Sequence, residues 1–359
     1  MKFFKFGIQN KKSLTKFETK SFLKLSKSNL NTKDDFEKIS LENKYNPEIV
    51  DKQKQNFTLI GRLPEKIQLY LQLGRYDRPV GYMLLFWPCT WGLTLGSPGL
   101  SVLYFKCLAL YFSGSVLMRS SGCIINDMWD KNIDSKVIRS ANRPLANNKL
   151  TYKQASIFLS AHLAVSLWIL LQLPLNSIYA GLGIMPIVCI YPYMKRVTHF
   201  PQFFLGLAFN SGIIVGLASI TGVIPFEIAV PLYSAGILWT LIYDTIYAHM
   251  DKSDDIKISV KSTAIFFGDN SKIYFGLFTI LMMYLFYLAI YYSKKKSNNK
   301  NKNVTNVTYG LLGLGTLFQF YSIYQVDLNS PLSCLKHFKA NSWFGMIIFM
   351  ACLCSLLDK

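Results

Sequence analysis

Nine apolar stretches, each about the length that crosses ~30 Å of hydrocarbon, decide what this chain can fold into. They cover residues 80–98, 102–125, 154–173, 176–194, 203–221, 226–248, 273–292, 304–325 and 342–357. A backbone in lipid must satisfy its own hydrogen bonds, so such runs become helices. Composition agrees: 51% of residues are hydrophobic and only 16% are charged, against about 25% for ordinary soluble domains. The expectation is an all-α membrane protein. Gly and Pro inside the runs fit helices that pack closely or bend.

The net charge of +19 does not read as nucleic-acid binding. The excess lies in an N-terminal extension and in short connections between spans. Counted by parity, the connections after spans 2, 4, 6 and 8 hold Lys131, Lys136, Arg139, Arg143, Lys149, Lys153, Lys195, Arg196, Lys252, Lys257, Lys261, Lys336 and Lys339. Those after spans 1, 3 and 5 hold no Lys or Arg, and the one after span 7 holds five Lys. This bias makes the N-terminal side of the bundle the positive, interior face.

Residues 1–33 contain nine Lys and a single acid, Glu18, among Ser, Thr and Phe. They read as a basic amphipathic mitochondrial presequence, unusual in using Lys without Arg. Residues 34–63 read as a polar linker and residues 64–359 as the transmembrane domain. Residues 64–76 suit an amphipathic interfacial helix. In a mitochondrion the positive face would be the matrix side of the inner membrane. The seven cysteines form no CxxC pair, and with the four histidines they show no zinc spacing. His162, inside a span, reads as a hydrogen-bonded packing residue.

Two acidic stretches end spans 2 and 6. They are "NDMWDKNID" at 126–134 and "YDTIYAHMDKSDD" at 243–255. Four spans apart, they fall on the same face. If each continues its helix at ~100° per residue, Asp127, Asp130 and Asp134 lie within about 60° of one another, with Asn126 about 40° from Asp130. By the same arithmetic Asp244, Asp251 and Asp255 lie within about 40°, with Tyr247 at the edge and Asp254 further off. Three carboxylates on one face repel and call for a cation. Their hard oxygens suit Mg²⁺, which is commonly held by one or two carboxylates together with substrate phosphates. The pattern points to a diphosphate gripped through metal between two acidic helix ends. Arg75, Arg78, Arg139, Arg143, Lys195, Arg196, Lys257 and Lys261 flank these stretches and suit anionic groups. The spans read as uncharged at mid-depth, which disfavours a transporter path.

"GCIINDMWDKNIDSKVIRSANRPLA" and "LIYDTIYAHMDKSDDIKISVKSTAIFFG" resemble the two signature regions of the UbiA superfamily of intramembrane prenyltransferases, and in particular its 4-hydroxybenzoate polyprenyltransferase branch. "RYDRPVGYMLLFWPCTWGL" and "YPYMKRVTHFPQFFLGLAFNSG" are similar to that branch as well. The resemblance implies nine transmembrane helices around a central cavity. It implies Mg²⁺-dependent transfer of a polyprenyl chain from its diphosphate to 4-hydroxybenzoate in ubiquinone synthesis, with a ubiquinone-synthesis complex as a candidate partner. Carried over, Asn126, Asp127, Asp130 and Asp134 would be the first diphosphate–Mg²⁺ motif, and Asp244, Asp251 and Asp255 the second. Lys195 would meet the diphosphate. Asp130, Asp251 and Lys195 are the residues on which turnover would depend, Tyr247 would flank the allylic cation, and Arg75 or Arg139 would hold the acceptor's carboxylate.

Overall fold

A computed structural model describes residues 63–135, 140–257, 259–295 and 301–358. The presequence 1–33, nearly all of the linker 34–63, Lys136 and Arg139 lie outside the described residues. Every described element is helical. An interfacial helix α1 (Glu65–Leu73) leads into α2 (Pro79–Gly96) and α3 (Val102–Trp129). A short helix α4 (Lys131–Asp134) follows, then α5 (Tyr152–Leu170), α6 (Leu175–Gly183) and α7 (Met185–Val197). The chain continues through α8 (Pro201–Thr221), α9 (Phe226–Ala248), α10 (Lys252–Lys257) and α11 (Thr263–Phe267). It closes with α12 (Ser271–Lys294), α13 (Lys302–Gln325) and α14 (Pro331–Leu357).

All nine expected spans coincide with helices. Seven helical stretches among the described residues are long and apolar enough to cross a membrane. The helices α2 and α13 are not among the seven. In α13 the opening "KNVTNVT" dilutes the apolar run. In α2 every residue from Phe86 to Leu95 is buried, so protein rather than lipid surrounds it. Span 4 is divided into α6 and α7 at Ile184, where Pro186 in the first turn of α7 lacks the N–H that would continue the ladder. The last helix begins at Pro331, eleven residues before the apolar run. Lys336 and Lys339 sit in its first turns, where long basic side chains reach the interface.

The closest helix pair is α2 on α8. A Cβ at Gly92 would meet the Ile213 carbonyl oxygen at 2.2 Å, and one at Gly216 would meet the Leu93 nitrogen at 2.5 Å. Small residues on both partners allow this backbone contact, as in many membrane interfaces. Beside it, Trp91 and Trp239 lie 5.1 Å apart between ring centroids, with Phe286 edge-on to Trp91 at 5.2 Å and Phe344 5.9 Å from Trp239. This aromatic cluster joins α2, α9, α12 and α14. Its buried indole donors are satisfied: Trp91 Nε1 donates to the Gly345 carbonyl at 3.0 Å and Trp239 Nε1 to Asn341 Oδ1 at 3.1 Å. Large apolar side chains on the outside, such as Trp168, Tyr179, Phe226 and Leu317, are well exposed, as a lipid-facing rim requires.

Candidate active site

The helix carrying the first acidic stretch does not run through it, contrary to the sequence expectation. It stops at Trp129, and Asp130 (φ −100°, ψ 7°) joins α3 to α4. The Asp130 carbonyl still accepts from the Asp134 N–H at 2.8 Å, so helical spacing survives the kink. The second stretch bends similarly. After Ala248 the Met250 and Asp251 N–H groups bond three residues back, to Tyr247 and Ala248, before α10 begins at Lys252.

Asp127, Asp130 and Asp134 are all buried, and protein cations, rather than a metal alone, answer their repulsion. Arg75 Nη2 donates to both Asp127 oxygens at 2.9 Å. Arg143 Nη1 bridges Asp127 Oδ1 at 3.1 Å and Asp134 Oδ2 at 2.6 Å. Lys195 Nζ donates to Asp130 Oδ2, and Arg196 Nη2 lies 3.5 Å from Asp130 Oδ1. Three carboxylates thus face four cations. Burial raises the Asp134 pKa, against the pull of Arg143, and the neighbouring Asp127 and Asp130 charges push it further.

Arg75 reaches Asp127 from a left-handed backbone (φ 57°), a conformation that only well-held non-glycine residues keep. Its Nη1 donates to the Gln72 carbonyl at 2.7 Å. The next residue is anchored too: the Tyr76 hydroxyl lies 2.6 Å from His162 Nε2, while His162 Nδ1 bonds the Phe158 carbonyl at 2.8 Å. A carbonyl can only accept, so Nδ1 carries the proton and Nε2 accepts from tyrosine. His162 is the packing residue that its position in the sequence suggested.

The end of α7 ties the two acidic stretches to one end of the bundle. While Lys195 Nζ reaches Asp130, its carbonyl accepts from the Lys261 N–H at 2.9 Å, and Lys261 Nζ donates to the Val197 carbonyl at 3.0 Å. Tyr191, one turn earlier, lies within electrostatic reach of both Asp130 and Asp244. Asp244, Tyr247, Asp251 and Asp255 are half-buried, as is Asn126. The Tyr247 ring packs on Phe338 of α14 at 4.7 Å. Asp254 pairs with Lys257 at 3.6 Å on the outside. His249 is buried against Ser271 Oγ at 2.9 Å, and burial first, then Lys252, lowers its pKa to about 4.

Arg119 overturns the expectation of uncharged mid-depths. It lies inside α3, seven residues before Asn126 and so on the same helix face. Asp244, Tyr191 and Tyr247 are within its electrostatic reach, and it stands 5.7 Å over the Phe209 ring. Its buried Nε has no hydrogen-bond partner. The sequence signal was present in "LMRSS": an arginine inside an apolar run marks a functional site by default.

A family model described as the UbiA prenyltransferase family matches residues 85–353. The chain belongs to the UbiA prenyltransferase family. Among UbiA relatives, the Drosophila pseudoobscura pseudoobscura protein named 4-hydroxybenzoate polyprenyltransferase, mitochondrial, is 39% identical over 306 residues, 85% of this chain and 75% of its own. The Homo sapiens protein of the same name is 39% identical over 302 residues, 84% of this chain and 79% of its own. In fold, the chain is similar to a UbiA homolog from Archaeoglobus fulgidus solved bound to GPP and Mg²⁺. That match has a TM-score of 0.60 and 20% identity, and covers 79% of this chain and 99% of the other.

The donor set fits a divalent metal of that kind. Among the described residues no three His, Cys, Asp or Glu side chains converge enough to hold an ion alone. Mg²⁺ does not need such a cage, because phosphate oxygens and water complete its shell. Asp130 Oδ1 is buried without a hydrogen bond, its ion pair with Arg196 being a long 3.5 Å, and a bound cation would satisfy it more closely.

Proposed function

We propose that this chain is a 4-hydroxybenzoate polyprenyltransferase. It would transfer a long polyprenyl group from its diphosphate to the 3-position of 4-hydroxybenzoate, in ubiquinone biosynthesis. The observation that carries the reading is the pairing of two acidic helix ends around Tyr191 and Lys195 at one end of a membrane bundle. The names of the relatives, at about 40% identity over most of the chain, support the acceptor.

Asn126 and Asp130 from the first stretch, with Asp244, Asp251 and Asp255 from the second, would hold Mg²⁺ together with diphosphate oxygens. Bound there, the metal would neutralise the leaving group. Asp127 and Asp134, clasped by Arg75 and Arg143, keep the frame of the first stretch and its ligand geometry. Lys195 and Arg196 face Asp130 and draw in the diphosphate; as the allylic C–O bond breaks, they stabilise the departing anion. Tyr191, within electrostatic reach of Asp130 and Asp244, and Tyr247, within that of Arg119, would face the cation left on carbon. Carbon 3 of the acceptor then bonds to that carbon and loses its proton. Arg119, with a buried, unpartnered Nε and with Asp244 and Tyr247 in electrostatic reach, would hold the acceptor's carboxylate. Arg75 does not take that role, because it is already bound to both oxygens of Asp127; Arg139 lies outside the described residues. Residues 1–33 would direct import, and the positive face of the bundle would look into the matrix from the inner membrane.

Membranes holding the full chain, given labelled 4-hydroxybenzoate and a long prenyl diphosphate, test this directly. Mg²⁺-dependent 3-polyprenyl-4-hydroxybenzoate is the expected product. Product with another aromatic acceptor but none with 4-hydroxybenzoate would refute the acceptor assignment.

A further inference from the structure

A second anion-accepting feature lies away from the cleft, where α13 ends and α14 begins. An open groove of about 430 Å³ is formed there between the two helices. Phe318, Leu332 and Ala340 give it apolar lining. Gln325, Ser333 and Lys336 give it polar lining, and no carboxylate is among the residues that line it. His337 is buried in its wall, its Nδ1 bonded to Ser322 Oγ at 2.9 Å. That bond uses Nδ1 and leaves Nε2 on the other edge of the ring.

Charge converges on the mouth of the groove. Lys272, at the start of α12, donates to the Tyr324 carbonyl at 3.2 Å, which brings it beside the end of α13. An ammonium has three donors, so two remain. Lys272 and Lys336 are both exposed, and both lie within electrostatic reach of His337. The level is the one expected of a membrane surface. Tyr321 and Tyr324 are 64% and 80% exposed at the same level of α13, where interfacial aromatic belts sit. One turn deeper, Leu317 is 70% exposed, a lipid-facing track leading out of the groove. Connections on this end of the bundle are the basic ones, the face that meets anionic headgroups.

We propose that the groove between α13 and α14 binds an anionic diacyl phospholipid. Its phosphate lies between Lys272 and Lys336, Ser333 and His337 Nε2 complete the polar contacts, and its chains follow Phe318 and Leu317 into the bilayer. A free anion would have no use for the apolar wall, and a zwitterionic lipid would gain little from two lysines. The neighbouring α14 residue, Phe338, packs on Tyr247, so the lipid would brace one wall of the catalytic cleft. The site itself does not depend on the prenyltransferase reading.

The test is native mass spectrometry of the full chain released from nanodiscs of equimolar phosphatidylcholine and phosphatidylglycerol. Wild type should retain one phosphatidylglycerol in preference to phosphatidylcholine, by roughly 30-fold if both lysines contribute fully. The double variant Lys272→Ala, Lys336→Ala should lose that preference while keeping its thermal transition in detergent. Ala340→Trp, which fills the apolar side and leaves both charges, should lose the adduct as well. Equal retention of the two lipids would overturn the proposal, as would an adduct that survives Ala340→Trp. Displacement of the adduct by millimolar inorganic phosphate would overturn it by showing a site for the free anion. A dimer without lipid would overturn it by giving the groove to a second copy.

Discussion

The two acidic helix ends answer the same electrostatic problem in different ways. After α3, three carboxylates are buried and held by Arg75, Arg143, Lys195 and Arg196. After α9, the acids are half-buried, one of them facing Arg119 from within the bundle and another carrying an exposed pair with Lys257. The first end is therefore a prebuilt, cation-rich frame, and the second is a more open counterpart to it. The difference teaches where substrate charge enters. On the proposed function a diphosphate would draw Lys195 and Arg196 from Asp130 and free that carboxylate for metal, whereas Arg143 bridges two aspartates.

Breaking either end at the acid proposed to meet metal should give the largest effect. Asp130→Ala and Asp251→Ala are each expected to lower turnover by ~10²–10³-fold, as with loss of a principal electrostatic group, with membrane insertion unchanged. Chelating divalent metal should do the same to wild type, with recovery on adding Mg²⁺. Radiolabelled product formation in membranes measures all three.

Arg143→Ala should separate frame from chemistry. Removing the partner shared by two buried carboxylates is expected to cost ~3 kcal/mol in detergent-solubilised protein. Lys257→Ala, at the exposed pair of the second end, should cost less than ~0.5 kcal/mol. Thermal unfolding of the two variants side by side gives the contrast.

Arg119→Lys should sharpen the assignment within the cleft. Lysine keeps the charge and loses the planar fork, so KM for 4-hydroxybenzoate should rise roughly 10-fold, with KM for the prenyl diphosphate little changed. A smaller effect concerns His249. Its folded pKa, about 4, lies below the usual value, so the unfolded chain binds the extra proton first. The stability that His249 contributes is whole above about pH 6.5 and falls as pH drops towards 4. His249→Gln should flatten that part of the pH–Tm curve.

Much of this architecture was legible because apolar runs and helical spacing are local properties. The break inside span 4 is marked by Pro186, and the kinks at Asp130 and His249–Asp251 interrupt the helices but leave i→i+4 bonds between Asp130 and Asp134 and between Asp251 and Asp255. The early start of α14 was hidden because Lys336 and Lys339 interrupt hydropathy without interrupting a helix. The partners of the acids were not legible. Arg75 reaches Asp127 only through a left-handed backbone, and Arg143 reaches across from an irregular connection. Arg119 was readable as a lone charge in an apolar run, yet its meaning depends on Asp244, which is distant in sequence.

The central claim is that both acidic ends grip one diphosphate through metal. Equilibrium binding of an unreactive prenyl thiolodiphosphate to wild type, Asp130→Asn and Asp251→Asn, with and without Mg²⁺, tests it most directly. Mg²⁺ should tighten binding to wild type and do little for either variant. Full Mg²⁺-dependent binding in one of the two variants would contradict it.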